Sequence, residues 1–212
     1  MNFTIEQKWL QLLHSPLEAN VLLAMEMKEG MREINYQPYL NAYLKLYRRF
    51  FDKNLQTLEP NHILKLNQRR IDASWQNLKL LPTEIKQLKK LEDLQLYSNQ
   101  LEELPAEIGQ LTNLQCLGVG ENKLKKLPKE LCSLPKLTGL ALFNNRLEVL
   151  PAEIGQMQSL VWLHLNGNRI THLPKEIKAL QNLRELWIQT NPIADDEIAK
   201  LREWLPNCQI NF

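Results

Sequence analysis

The sequence predicts an α/β solenoid: short parallel strands stacked along a concave face, short helical or irregular segments behind them, and an α-helical cap over the N-terminal end. Three observations carry this expectation. The pattern L-x-x-L-x-L-x-x-N-x-L recurs at a fixed interval of 23 residues, beginning at Leu91, Leu114, Leu137, Leu160 and Leu183. Prolines keep the same phase at Pro82, Pro105, Pro128, Pro151 and Pro174. Residues 1 to about 60 fall outside that phase and instead carry apolar residues at helical spacing. Self-similarity at one strict period marks a repeat architecture, in which each unit buries its apolar face only against its neighbours.

In chain order, a first helix starts near Thr4 and runs through Trp9, Leu10, Leu12 and Leu13. Ser15-Pro16-Leu17-Glu18 reads as the next helix start, with serine as N-cap, proline at the first position and glutamate completing a capping box. That helix is expected to stop at Gly30. A third helix is expected from Pro38 to about Phe51, with Tyr39, Leu40, Tyr43, Leu44, Tyr47, Phe50 and Phe51 forming an aromatic-rich stripe that packs on the other helices and on the open end of the repeats. Shifting the frame back by 23 residues sets Ile71, Ala73, Gln76 and Leu78 at the places of Leu94, Leu96, Asn99 and Leu101, a degenerate first repeat. Within each repeat, alternation sends two leucines inward and the residues beside them outward. Ile85, Ile108, Leu131, Ile154 and Ile177 fill the core behind the prolines, and the phased Glu84, Glu107, Glu130, Glu153 and Glu176 read as helix-start or surface charges. Past the last repeat, Asp195 or Asp196 starts a helix that Pro206 stops, and residues 208–212 alternate as a short edge strand. The expected organisation is thus a helical cap over 1–65, one degenerate and five full repeats over 66–194, and a helix-strand cap over 195–212.

The phased residues resemble those of the leucine-rich repeat proteins, in the bacterial-like variety reading L-P-x-E-I-x-x-L-x-x-L-x-x-L-x-L-x-x-N-x-L. The resemblance reaches the closing helix and strand but not residues 1–60. It implies that Asn99, Asn122, Asn145, Asn168 and Asn191 are buried where the chain leaves each strand and bond the backbone of adjacent turns into a ladder. It also implies a non-catalytic module for protein–protein interaction.

Composition narrows the alternatives. The chain has 212 residues, 44% of them hydrophobic, and 26 Lys and Arg against 24 Asp and Glu, with both signs interspersed. A formal charge of +2 gives no field that argues for nucleic acid or an anionic membrane as partner. The N-terminal residues mix acidic and polar side chains into the apolar pattern, unlike a secretion signal, and no run is long enough for a membrane span. Cys116, Cys132 and Cys208 are scattered and odd in number, which points to a reducing cytoplasm. Histidines and cysteines show no ligand spacing, so neither metal nor other cofactor is expected.

Function is expected in what does not repeat, the outward strand positions. The columns are Arg70, Asp93, Cys116, Gly139, Trp162, Glu185; then Asp72, Gln95, Gly118, Ala141, His164, Trp187; then Ser74, Tyr97, Gly120, Phe143, Asn166, Gln189. Gly118, Gly120 and Gly139 predict a low floor with Tyr97, Phe143, Trp162, His164 and Trp187 standing around it. At a strand spacing of about 4.8 Å, Tyr97 and Phe143 would straddle Gly120 roughly 10 Å apart, admitting a side chain between them. Aromatic anchors beside a depression suit a binding hot spot for a protein or peptide. Two other uses fit the same residues: self-association of two copies through this face, or cross-strand packing that merely stiffens the sheet. Catalysis is not expected. Cys116 and His164 lie two strands apart, about 10 Å, and Asp72 and Asp93 have Arg70 beside them as a salt-bridge partner.

Overall fold

The computed structural model describes residues 4–28 and 35–212. Four helices open it: α1 (Ile5–Leu13), α2 (Glu18–Met27), α3 (Gln37–Phe50) and α4 (Pro60–Leu66). Six three-residue strands follow at the repeat interval: β1 (Arg70–Asp72), β2 (Asp93–Gln95), β3 (Cys116–Gly118), β4 (Gly139–Ala141), β5 (Trp162–His164) and β6 (Glu185–Trp187). A last helix α5 (Asp195–Trp204) returns the chain to β7 (Gln209–Asn211). The seven strands form one parallel sheet in sequence order, in register residue for residue, so that Arg70, Asp93, Cys116, Gly139, Trp162, Glu185 and Gln209 make one row across it. Between strands the chain returns through five single 3-10 turns, Thr83–Gln87, Ala106–Gln110, Lys129–Ser133, Ala152–Gln156 and Lys175–Ala179, each led in by a proline in extended conformation. Proline fits there because its fixed φ suits the entry and its missing N–H is not needed at a helical first turn. The solenoid expected from the repeat frame is the fold observed.

Its core is a stack of identical side chains. Leu94, Leu117, Leu140, Leu163 and Leu186 are fully buried at the strand centres, with Ile85, Ile108, Leu131, Ile154 and Ile177 behind them. The asparagines after the strands hold successive turns together. Asn145 is typical: its Nδ2 donates to the carbonyls of Val119 at 2.9 Å and Leu142 at 3.0 Å, and its Oδ1 accepts from the Leu124 N–H at 2.9 Å. Asn99, Asn122, Asn168 and Asn191 bond in the same pattern to the preceding turn and to their own. The degenerate repeat has Gln76 at this place, and there only its backbone N–H enters the pattern, donating to Asn99 Oδ1 at 3.0 Å. One residue per repeat turns left-handed just before the asparagine position: Trp75, Ser98, Glu121, Asn144, Gly167 and Thr190.

The cap is built on Trp9, Leu13, Val21, Tyr43, Leu46, Phe50 and Ile63, all buried. Thr4 caps α1 through a capping box with Gln7, as its residue type favours. The start of α2 differs from expectation. Leu17, not Ser15, is the N-cap. An N-cap carbonyl must accept the first helical hydrogen bond, and Ser15 spends its own on Asn67 Nδ2 at 2.9 Å, while its hydroxyl accepts from the N–H of Leu17 and the amide of Asn20. The expected stop at Gly30 lies outside the described residues. The aromatic stripe of α3 turns Tyr43, Leu46 and Phe50 into the core, and the helix packs on the first 3-10 turn, as expected for a cover over the open end of the repeats. The short α4 was not foreseen, although Glu59 and Pro60 are a legible start: the Glu59 N–H donates to His62 Nδ1 at 3.0 Å.

His14 ends α1 against Tyr43, with ring centroids 6.1 Å apart and planes 26° from parallel. Its Nε2 is buried with no partner among the described residues. Burial above all, then the charges of Lys89 and Lys90, lower its pKa from 6.5 to about 4. Because the folded pKa lies below the unfolded one, the unfolded chain takes up the proton first, and stability present above pH 6.5 is lost as pH falls toward 4. Urea melts are expected to show about 2–3 kcal/mol less stability at pH 4.5 than at pH 7 from this group. His14→Gln should remove that part of the pH dependence, and an unchanged pH profile in the variant would refute the assignment.

Candidate functional site

The outward side chains of β2 to β6 form two aromatic groups. Tyr97, two residues beyond β2, and Phe143, two beyond β4, stack with centroids 5.7 Å apart and planes 25° from parallel. Over β5 and β6, His164 lies between Trp162 and Trp187, with centroids 5.0 and 5.4 Å away. All five rings are half-buried.

The glycines do not make an open floor, which corrects the expectation from strand spacing. A Cβ on Gly120 would lie 2.6 Å from the Phe143 ring; one on Gly118 would collide with the Gln95 side chain and the Tyr97 ring, and one on Gly139 with the Trp162 indole. These glycines are slots already filled by neighbouring rings. Strand spacing sets the separation of the Cα atoms, but a long flat side chain leans over any neighbour that lacks a Cβ, and two rings that meet there shed water from their faces. Tyr97 and Phe143 therefore touch across Gly120 and leave no room for a guest side chain between them. The face presents ring edges and outer faces rather than a pit.

Its charges are mostly acidic. Asp72, Asp93 and Glu185 stand against one guanidinium, Arg70, whose Nε is 3.5 Å from Asp93 Oδ2. Hydrogen bonds from Ser74 hold the Asp72 carboxyl below its ordinary pKa, and Trp187 Nε1 points at Glu185 Oε2 at 3.4 Å. Burial lowers the pKa of His164 against the pull of Glu185, which favours the neutral ring, and its Nε2 has no partner among the described residues. The Cys116 thiol is pushed up by burial first and by Asp93, the opposite of an activated nucleophile. Among the described residues there is no group of three or more His, Cys, Asp or Glu placed to hold a metal, and no helix long and apolar enough to cross a membrane.

Sequence reasoning passed over Trp75, the most exposed large apolar side chain among the described residues at 74%. The signal was present, since the same place in the later repeats holds Ser98, Glu121, Asn144, Gly167 and Thr190, none of them bulky and apolar.

Comparison with known proteins agrees with this architecture. A family model described as leucine rich repeat matches residues 89–147 and 135–193. The leucine-rich repeat protein SHOC-2 of Danio rerio is 44% identical over 59 residues, which is 28% of this chain and 10% of that protein. A solved leucine-rich repeat protein of Leptospira interrogans superposes with a TM-score of 0.69 at 43% identity, over 73% of this chain and 40% of that one. An internalin of Listeria monocytogenes has the same fold at 19% identity, with a TM-score of 0.62 over 74% of this chain and 44% of its own. The chain thus spans a tenth of the curated relative and less than half of either solved structure. By its repeat frame, its parallel sheet and these matches, the chain belongs to the leucine-rich repeat proteins.

Proposed function

We propose that this chain is a non-catalytic binding module whose concave face holds a protein or peptide. Leucine-rich repeats are generally protein–protein interaction modules. The observation that carries the reading to this face is the pair of half-exposed aromatic groups at positions that do not recur from repeat to repeat, Tyr97 with Phe143 and Trp162 with His164 and Trp187. Large rings that keep part of their faces in water, at positions where the leucine core and the asparagine bonds already hold the strands, are the material of a hot spot. Three carboxylates around them favour an occupant with Lys or Arg beside its apolar side chains, the cation lying over an indole face.

A pull-down from cells of the source organism, comparing the wild-type chain with the Trp162→Ala/Trp187→Ala variant, tests the reading. The expected result is a protein captured only by the wild type, with thermal stability of the variant within about 1 kcal/mol of the wild type. Identical captures would move the site off this face, and a collapse in stability would make both indoles structural. Light scattering on the eluted chain separates the other use of the face: a dimer that the double variant turns into a monomer would assign these rings to self-association.

A further inference from the structure

A cleft of about 630 Å³ lies away from the concave face, between α3 and the turn that follows β1. Its walls carry Lys45, Arg48, Arg49 and Lys53, and Leu44 and Leu78 lie among them. Lys45, Arg48 and Arg49 share one face of α3 at helical spacing, and Lys53 follows just past its end. We propose that this cleft is a second docking site, independent of the concave face, and that it takes an acidic peptide segment.

An exposed helix face with several cations is ordinarily just solvated, and four features set this one apart. The cations line a concavity of the size that ligands occupy rather than a convex surface. They are also short of partners: among the described residues only Lys45 is paired, with Glu84 at 2.8 Å, and Arg48 spends its Nε on the Leu55 carbonyl at 2.6 Å. Arg49, half-buried, and Lys53 have neither an ion pair nor a side-chain hydrogen bond among the described residues. Partial burial of an unpaired guanidinium is unfavourable, and an arriving carboxylate relieves it with a geometry that the fork of nitrogens matches.

The third feature is Gln76. It stands where every later repeat has its ladder asparagine, yet its side chain lines the cleft instead of bonding to the turn. The fourth is Trp75, which precedes Gln76 in the chain outside the cleft wall, three-quarters exposed on a left-handed backbone (φ 63°), with Asn77 on the other side of Gln76 also left-handed (φ 53°). A bulky aromatic residue held in that conformation costs folding energy on two counts, backbone strain and apolar exposure. Both costs are offset if the indole lies over the apolar side chains of a bound segment. Nucleic acid fits the site less well, because only a few cations are gathered here and Glu84 already neutralises one.

The test uses the full chain and a fluorescein-labelled Glu-Asp-Leu-Glu-Asp peptide, read by anisotropy, with the Gln-Asn-Leu-Gln-Asn peptide as neutral counterpart. Saturable binding of the acidic peptide alone is expected, weakening as salt rises. Binding should fall about 10-fold in Arg49→Gln/Lys53→Gln and at least as much in Lys53→Glu, whose side chain is exposed and outside the helix. It should not change in Trp162→Ala/Trp187→Ala. Wild-type affinity in the cleft variants, absence of saturable binding, or equal loss in the double tryptophan variant would each overturn the proposal. A phosphoserine peptide binding more than 10-fold tighter than the carboxylate peptide would overturn the assignment to acidic side chains in favour of a phosphoryl group.

Discussion

Asn145→Leu is expected to destabilise the chain by roughly 3–5 kcal/mol. The side chain is buried and makes four bonds at once: it donates to the carbonyls of Val119, Leu142 and Phe143 and accepts from the Leu124 N–H. Leucine has similar bulk but none of the polar atoms, so these backbone groups stay buried without partners. Each such group costs about 1–3 kcal/mol, lowered where the turn relaxes enough to admit water. Because a repeat contacts only its neighbours, the loss should concentrate in the turns on either side. Hydrogen exchange should show the Leu124 amide, protected in the wild type by Asn145 Oδ1, among the most accelerated sites. A melt shifted by less than about 2 °C, equivalent to under 1 kcal/mol at this chain length, would show that the ladder bonds are replaceable by solvent.

The second large effect is expected at Asn67, where the cap is joined to itself and to the first repeat. This side chain is buried, accepts from the Tyr43 hydroxyl at 2.7 Å and donates to the carbonyls of Leu13 at 2.6 Å and Ser15 at 2.9 Å. It thus ties the end of α1 and the turn before α2 to α3 and to the chain entering β1. Asn67→Ala leaves three buried polar groups unpaired and should cost roughly 3–5 kcal/mol. The distribution of the damage distinguishes it from Asn145→Leu. Exchange should rise across α1 and α2 while β3 to β6 keep their protection, since the repeats hold their own ladder. Uniform loss of protection over all strands would mean instead that cap and solenoid unfold as a single unit.

Residues that act within one repeat were the most legible. The 23-residue frame located each strand and its neighbour in register, since a period-2 alternation set inside a strict repeat leaves one choice of which leucines face inward. Thr4, a cap that bonds three residues ahead, was readable for the same reason. Ser15 was misread because the residue that takes its carbonyl, Asn67, is 52 positions away and nothing local announces it. The glycine columns were correctly placed on the face, but a column records where Cα atoms stand and not where rings lean, so the contact of Tyr97 with Phe143 was invisible. His14 is a further case. Its lowered pKa arises from burial beside Tyr43 and from Lys89 and Lys90, neighbours that only the folded chain supplies.

The residue-for-residue register of the sheet also makes the concave face a vernier. Strands recur about every 4.8 Å, whereas side chains on one side of an extended peptide recur about every 6.6 Å, so most positions of a peptide laid across the strands fall out of step with the columns beneath. The two scales coincide after four strands and three side-chain intervals, about 19 and 20 Å. Four strands is the step from Gln95 on β2 to Trp187 on β6, which stand in one row. An extended peptide of the kind proposed as occupant would therefore meet the backbone columns in step only at residues six apart.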